Sequence, residues 1–157
     1  MRLRRLMPSW IDYRLFVLVM LLTISPVVAQ ERVTVQLQPV GRSGVRGTAN
    51  LTAVGEGTQV VLQIVGLAPL RTARATMHAN TCAKPSASFA ALPELKADAS
   101  GKATATGSIR YRGTEAVALT TMADGAHIIA IQTGHMVACG VIQFPDARIL
   151  QPKAPNN

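Results

Sequence analysis

Between residues 33 and 142, short runs in which every second residue is apolar recur, separated by glycine and proline. That pattern constrains the chain more than any other feature. Successive side chains of a strand point to opposite faces, so strict alternation lines one face with apolar groups and the other with polar ones. Val33, Val35 and Leu37 alternate with Thr34, Gln36 and Gln38; Ala49, Leu51 and Ala53 alternate with Thr48, Asn50 and Thr52. Gly55-Glu56-Gly57 reads as a hairpin turn into Thr58–Val65, where Val60, Leu62 and Ile64 share one face. Arg74–His78 is a fourth run. Leu95–Asp98, the turn Ala99-Ser100-Gly101, and Lys102–Ile109 form a second hairpin. Ile128–Ile131, a turn at Thr133-Gly134, and Met136–Ile142 complete the set. The stretch Ala83–Ala91, rich in Pro, Ser and Ala, reads as a loop, and Glu115–Met122 as loop or a single turn. Eight short strands at this spacing predict an all-β sandwich or flattened barrel.

The first residues carry a different message. Arg2, Arg4, Arg5 and Arg14 precede an uncharged apolar run, Leu15–Ile24, and Ser25-Pro26 breaks it. Val27 and Ala29 then put short side chains three and one residues before a cut between Ala29 and Gln30. A basic flank, a short apolar core and a small-residue cleavage site are the parts of a secretory signal peptide. The expected organisation is a signal peptide over 1–29, a domain over 30–143 that begins at Gln30, and a Pro-containing tail over 144–157. The expected location is secreted, periplasmic or otherwise extracytoplasmic. A membrane would be met only through an uncleaved signal segment.

Removing residues 1–29 changes the charge argument. The whole chain is formally +8; the removed segment takes four Arg and one Asp with it, leaving twelve basic and seven acidic residues, net +5. Those basic residues are scattered, with no cluster and no interleaved aromatics, which argues against nucleic acid as a partner. Only Phe89, Tyr111 and Phe144 are aromatic beyond residue 29, so Val, Ile, Leu and Ala must fill the core.

Cys82 and Cys139 are the two cysteines. In an exported domain they are most simply one disulfide. In the loop-entropy model a loop of 57 residues closed this way destabilises the unfolded chain by at most ~4 kcal/mol. Neither cysteine lies in a Cys-x-x-Cys pair, which argues against a thiolate metal site.

The run Val137-Ala138-Cys139-Gly140-Val141-Ile142 resembles the last strand of the copper–zinc superoxide dismutases, with Cys82 placed shortly after the fourth strand as in that family. Val65-Gly66-Leu67 and Leu95–Ala103, with its Ala-Asp-x-x-Gly turn, resemble that family's third strand end and its fifth and sixth strands. The resemblance spans about Val33 to Ile142 and implies an eight-stranded Greek-key sandwich. A related sandwich of the kind first described in chordin is a similar reading. The family's chemistry is not matched. Its His-x-His copper pair corresponds to Thr76-Met77-His78; its zinc loop corresponds to Ala83–Ala91, which holds no His, Asp, Glu or Cys. Its active-site arginine corresponds to Met136, and His127 stands at the start of the seventh strand rather than near its end.

Three functional readings follow, in this order. The first is an exported superoxide-dismutase-like domain without an intact copper/zinc site, with a non-enzymatic binding or structural role, no resident cofactor, and an unidentified protein or envelope partner. The second is an exported copper-binding protein. Thioether and imidazole form a Cu(I) ligand set, and His78, His127, His135, Met77 and Met136 are the candidates. Against it, Met77 and Met136 serve equally well as core filler and His78 as a hydrogen-bonded structural residue. The third is a divergent dismutase. A homodimer through a sheet edge is left open. No Gly-x-Ser-x-Gly elbow or carboxylate pair marks a hydrolase. Asn50-Leu51-Thr52 is a glycosylation sequon on the polar side of a strand.

Overall fold

A computed structural model describes residues 31–144. The signal peptide expected over 1–29 lies outside the described residues, as does the tail after Phe144. So do both residues of the expected cut, Ala29 and Gln30. The domain expected to begin at Gln30 is therefore described from Glu31 onward. Eleven strands make one barrel-like sheet: β1 (Arg32–Pro39), β2 (Arg46–Val54), β3 (Gly57–Val65), β4 (Thr72–Thr81), β5 (Lys84–Ala91), β6 (Leu95–Lys96), β7 (Ala103–Ser108), β8 (Arg110–Tyr111), β9 (Glu115–Ala116), β10 (Asp124–Gln132) and β11 (Met136–Gln143). Their order is β7-β3-β2-β1-β11-β10-β4-β5-β8-β9, with β6 also paired to β4. Every pairing is antiparallel.

The count of eight is therefore corrected to eleven. All eight expected strands are present, and β5, β8 and β9 are added. Ala83–Ala91, expected as a loop, is mostly strand β5. Its composition has weak strand propensity, but β4 offers a complete hydrogen-bonding edge, and tertiary pairing overrides propensity. Pro85 is tolerated because it sits near the start of a strand that β8 meets only at Ala90 and Ala91. The segment 115–122, expected as loop or one turn, holds β9 and a 3-10 turn at Leu119–Thr121. Thr58, buried in β3, donates its hydroxyl to the Val117 carbonyl and pins this segment.

Closure of the barrel rests on one bent run. β7 pairs with β3, Ile109 donates its N–H to the Thr58 carbonyl, and β8 then pairs with β5. The alternation read from sequence becomes the core: Val33, Val35, Leu37, Ala49, Leu51, Val60, Leu62 and Ile64 are all buried, with Met77 and Met122 among them. Phe144 packs against this core and its N–H reaches the Ala123 carbonyl, so the folded body runs through that residue. At Gly140 β11 packs tightly against β1: a Cβ there would meet the Gln36 carbonyl and the Val35 and Leu37 side chains.

Candidate functional site

β10 is buried on both faces. Ile129 and Ile131 belong to the core, while Ile128 and Ala130 are equally buried on the outer face and stand outside the core cluster. The cover is the β4–β5 hairpin. β4 leaves regular geometry at Asn80, whose φ of 73° is left-handed, and the ladder to β5 shifts register between His78 and Asn80. Asparagine tolerates that conformation better than most residues. The hairpin tip then reaches β11 through the Cys82–Cys139 disulfide, with Cα atoms 5.9 Å apart. Cys139 lies opposite Ala130 and Gln38, which places it on the outer face. The disulfide expected from the cysteine count is present, and it holds a flap of chain against the sheet.

His78 lies in this seam, opposite Ile128 and 6% exposed. Its Nδ1 is 2.8 Å from the Ser86 carbonyl oxygen, and its Nε2 is 2.9 Å from the Thr76 hydroxyl. A carbonyl only accepts, so Nδ1 carries the proton; in the neutral ring Nε2 then accepts from Thr76. Both nitrogens are engaged. Ser86 is held in turn: its hydroxyl accepts from the Ala79 N–H and donates to the Ala87 carbonyl. Among the described residues no buried side-chain nitrogen or oxygen lacks a partner.

The other candidate ligands are dispersed. Met77 is adjacent to His78 in sequence, so alternation turns it to the core, where it is fully buried. His135 lies in the turn after β10, while His127 lies in the first half of that strand. Its Nδ1–H donates to Asp124 Oδ1 at 2.9 Å, and its ring meets Phe89 edge-on at 5.5 Å. His135 is exposed, and Met136 pairs with Gln132 beside it. Among the described residues no three of His, Cys, Asp and Glu gather as a metal would require. The copper and zinc implied by the family resemblance therefore do not fit the donors present. Thr76 stands where the resemblance would need the first histidine of a His-x-His pair, both nitrogens of His78 are engaged, and Ala83–Ala91, which the resemblance sets against a zinc loop, is mostly strand.

Sequence reasoning missed Thr76, Ser86 and Asp124. Two of them were signalled: Thr76 and His78 are two apart on one strand, hence on one face, and Asp124-x-x-His127 places a carboxylate at a strand start within reach of the ring. Ser86 had no local signal, because only the folded hairpin brings it to His78. At Asp124, desolvation acts to raise the carboxyl. The bond from His127 and the Ala126 N–H outweigh it and hold the group below the ordinary aspartate value of 3.8.

Compared with models of known protein families and with curated proteins, the sequence matches none. The geometry thus carries the functional argument. The disulfide is compatible with an oxidising, extracytoplasmic compartment. Among the described residues no helix is long and apolar enough to cross a membrane.

Proposed function

We propose that this chain is an exported superoxide-dismutase-like domain that keeps the sandwich and its disulfide without the metal chemistry, and that acts by non-enzymatic binding or as a structural element outside the cytoplasm. The observation that carries the reading is the state of His78, with one nitrogen on Thr76 and the other on Ser86, beneath a hairpin tied down by Cys82–Cys139. A metal there would have to displace a hydrogen bond in a site 6% exposed and find further ligands where none stand. The strand order, with β1 between β2 and β11 and β4 between β10 and β5, supports the likeness to that family. The partner in this reading is another protein or a component of the envelope.

One observation favours the second reading, copper binding. Asp124 fixes His127 by its Nδ1, an arrangement that in metal sites leaves Nε2 as the donor. A single imidazole is a weak site.

The test is copper titration of the signal-free protein against a competing chelator, with elemental analysis and a dismutase assay on the same samples. The expected result is no stoichiometric copper and no turnover beyond that of free copper. One copper per chain, lost in His127→Ala, would replace the first reading with the second. Superoxide-dependent turnover in the copper-loaded protein would replace both with a divergent dismutase.

A further inference from the structure

At the end of the barrel away from the β4–β5 hairpin, three connections meet: β1 to β2, β3 to β4, and β10 to β11. They enclose an open groove of about 640 Å³. Its floor is apolar, made of Val45, Leu67 and Val137, each 4–5% exposed. Its rim is polar and cationic, with Arg71, His135, Thr72 and Thr133. A second cleft shares Thr72 and Thr133 with it and adds Arg74.

The groove is built into the backbone. Ser43 donates its hydroxyl to the Val137 carbonyl, and the Val40 N–H reaches the same oxygen. The Arg71 N–H bonds to Ala68, and the Arg71 carbonyl accepts from Ala97. Thr133 N–H closes the β10–β11 turn on the His135 carbonyl. Gly66, at φ 85°, packs so close to Gly44 that a Cβ would run into its carbonyl. A site held this way needs little ordering when a ligand arrives.

Its arginines form no ion pair: among the described residues neither Arg71 nor Arg74 has a carboxylate partner. Lys96 stands opposite Thr72 and adds a further cation on that side. The turn that receives the Leu70 N–H carries Asp98, an ionised carboxylate whose Oδ1 is engaged locally. It accepts the Lys102 N–H, the Ser100 hydroxyl and the Ser100 N–H, and these bonds, that from Lys102 first, hold it below the usual value. Glu94 borders only the second cleft.

We propose that this groove binds a small organic anion, an oxyanion headgroup of the carboxylate or phosphate kind borne on a short apolar body. The guanidinium of Arg71 presents a planar fork of donors that matches either headgroup. The threonine hydroxyls and His135 supply further hydrogen bonds, and the Val45–Leu67–Val137 floor takes the apolar body. This inference does not depend on the proposed function, since the groove shares no residue with the His78 seam.

The experiment is calorimetric titration of the signal-free protein with hexanoate, butyl phosphate and, as the uncharged comparison, hexanol. Saturable one-to-one binding of at least one anion is expected, weakened about tenfold in Arg71→Gln and unchanged in Arg32→Gln, an exposed cation on β1. The tighter anion identifies the headgroup. His135→Ala is the second variant, expected to weaken binding about threefold, and it decides the matter if Arg71→Gln does not fold. The proposal is overturned if neither anion saturates, if hexanol binds as tightly as the anions, or if Arg32→Gln loses as much as Arg71→Gln.

Discussion

The outer face of β4, β10 and β11 and the groove at the barrel end are both assembled from strand ends and connections, yet physically they are opposites. Around His78 every buried side-chain donor meets an acceptor inside the protein, and a covalent tie joins the β4–β5 turn to β11. At the barrel end, among the described residues, Arg71 and Arg74 have no carboxylate partner, and both side chains are exposed above an apolar floor. A histidine type alone says nothing about which of these it belongs to. His78 is enclosed in the first region, and His135 stands at the rim of the second. Buried polar groups are satisfied because leaving them unmade is costly, whereas exposed ones are free to meet a ligand. The face that resemblance marks for chemistry is the closed one.

Four experiments break or sharpen that contrast, in order of expected size. Replacing both cysteines, Cys82→Ser with Cys139→Ser, should lower unfolding free energy by about 3–4 kcal/mol in denaturant melts. It should also speed amide exchange at Ile128 and Ala130 while leaving the groove unaffected. Exchange unchanged at those amides would mean that the hairpin does not need its tie. Gly66→Ala adds a side chain at a left-handed φ and against the Gly44 carbonyl. It should cost about 2–3 kcal/mol, with anion binding lost where protein remains folded. A neutral Gly66→Ala would show that the groove wall yields.

His78→Leu leaves the Ser86 carbonyl and the Thr76 hydroxyl without their partner. It should destabilise by about 1–2 kcal/mol and leave groove binding intact, which separates the two regions directly. The smallest effect is electrostatic. The Asp124 carboxyl is lowered in the folded state, so its stabilisation is present above the ordinary value of 3.8 and is lost as pH falls through the lower folded value. Asp124→Asn should flatten that acid limb of the stability curve. The change should be small, because the side chain is 48% exposed and solvent screens the pair. An acid limb identical in both proteins would remove Asp124 from the pH dependence.

Much of the fold was legible in the chain. Strict alternation marked β1, β3 and the core faces, and the presence of just two cysteines marked the disulfide. What escaped were β5, β8 and β9. Lys84–Ala91 lacks alternation, and Arg110–Tyr111 and Glu115–Ala116 are two-residue strands, so each exists only because a neighbour offers an edge. The candidate site was less legible. Five residues were nominated as ligands by chemical type, but alternation sends Met77 to the core while His78 faces outward, and His127 lies in the first half of β10 while His135 lies in the turn after it.

The sequence by itself determined the period-2 pattern, the composition of the core, the turns and the pairing of its cysteines, because these depend on local stereochemistry and on counting. Tertiary structure alone decided what the polar residues do. Ser43, Arg71 and His135 are scattered along the chain and line one groove at the barrel end, while Ser86 reaches His78 only once the β4–β5 hairpin has formed. Contacts between residues far apart in sequence depend on topology and register, and no local pattern encodes them.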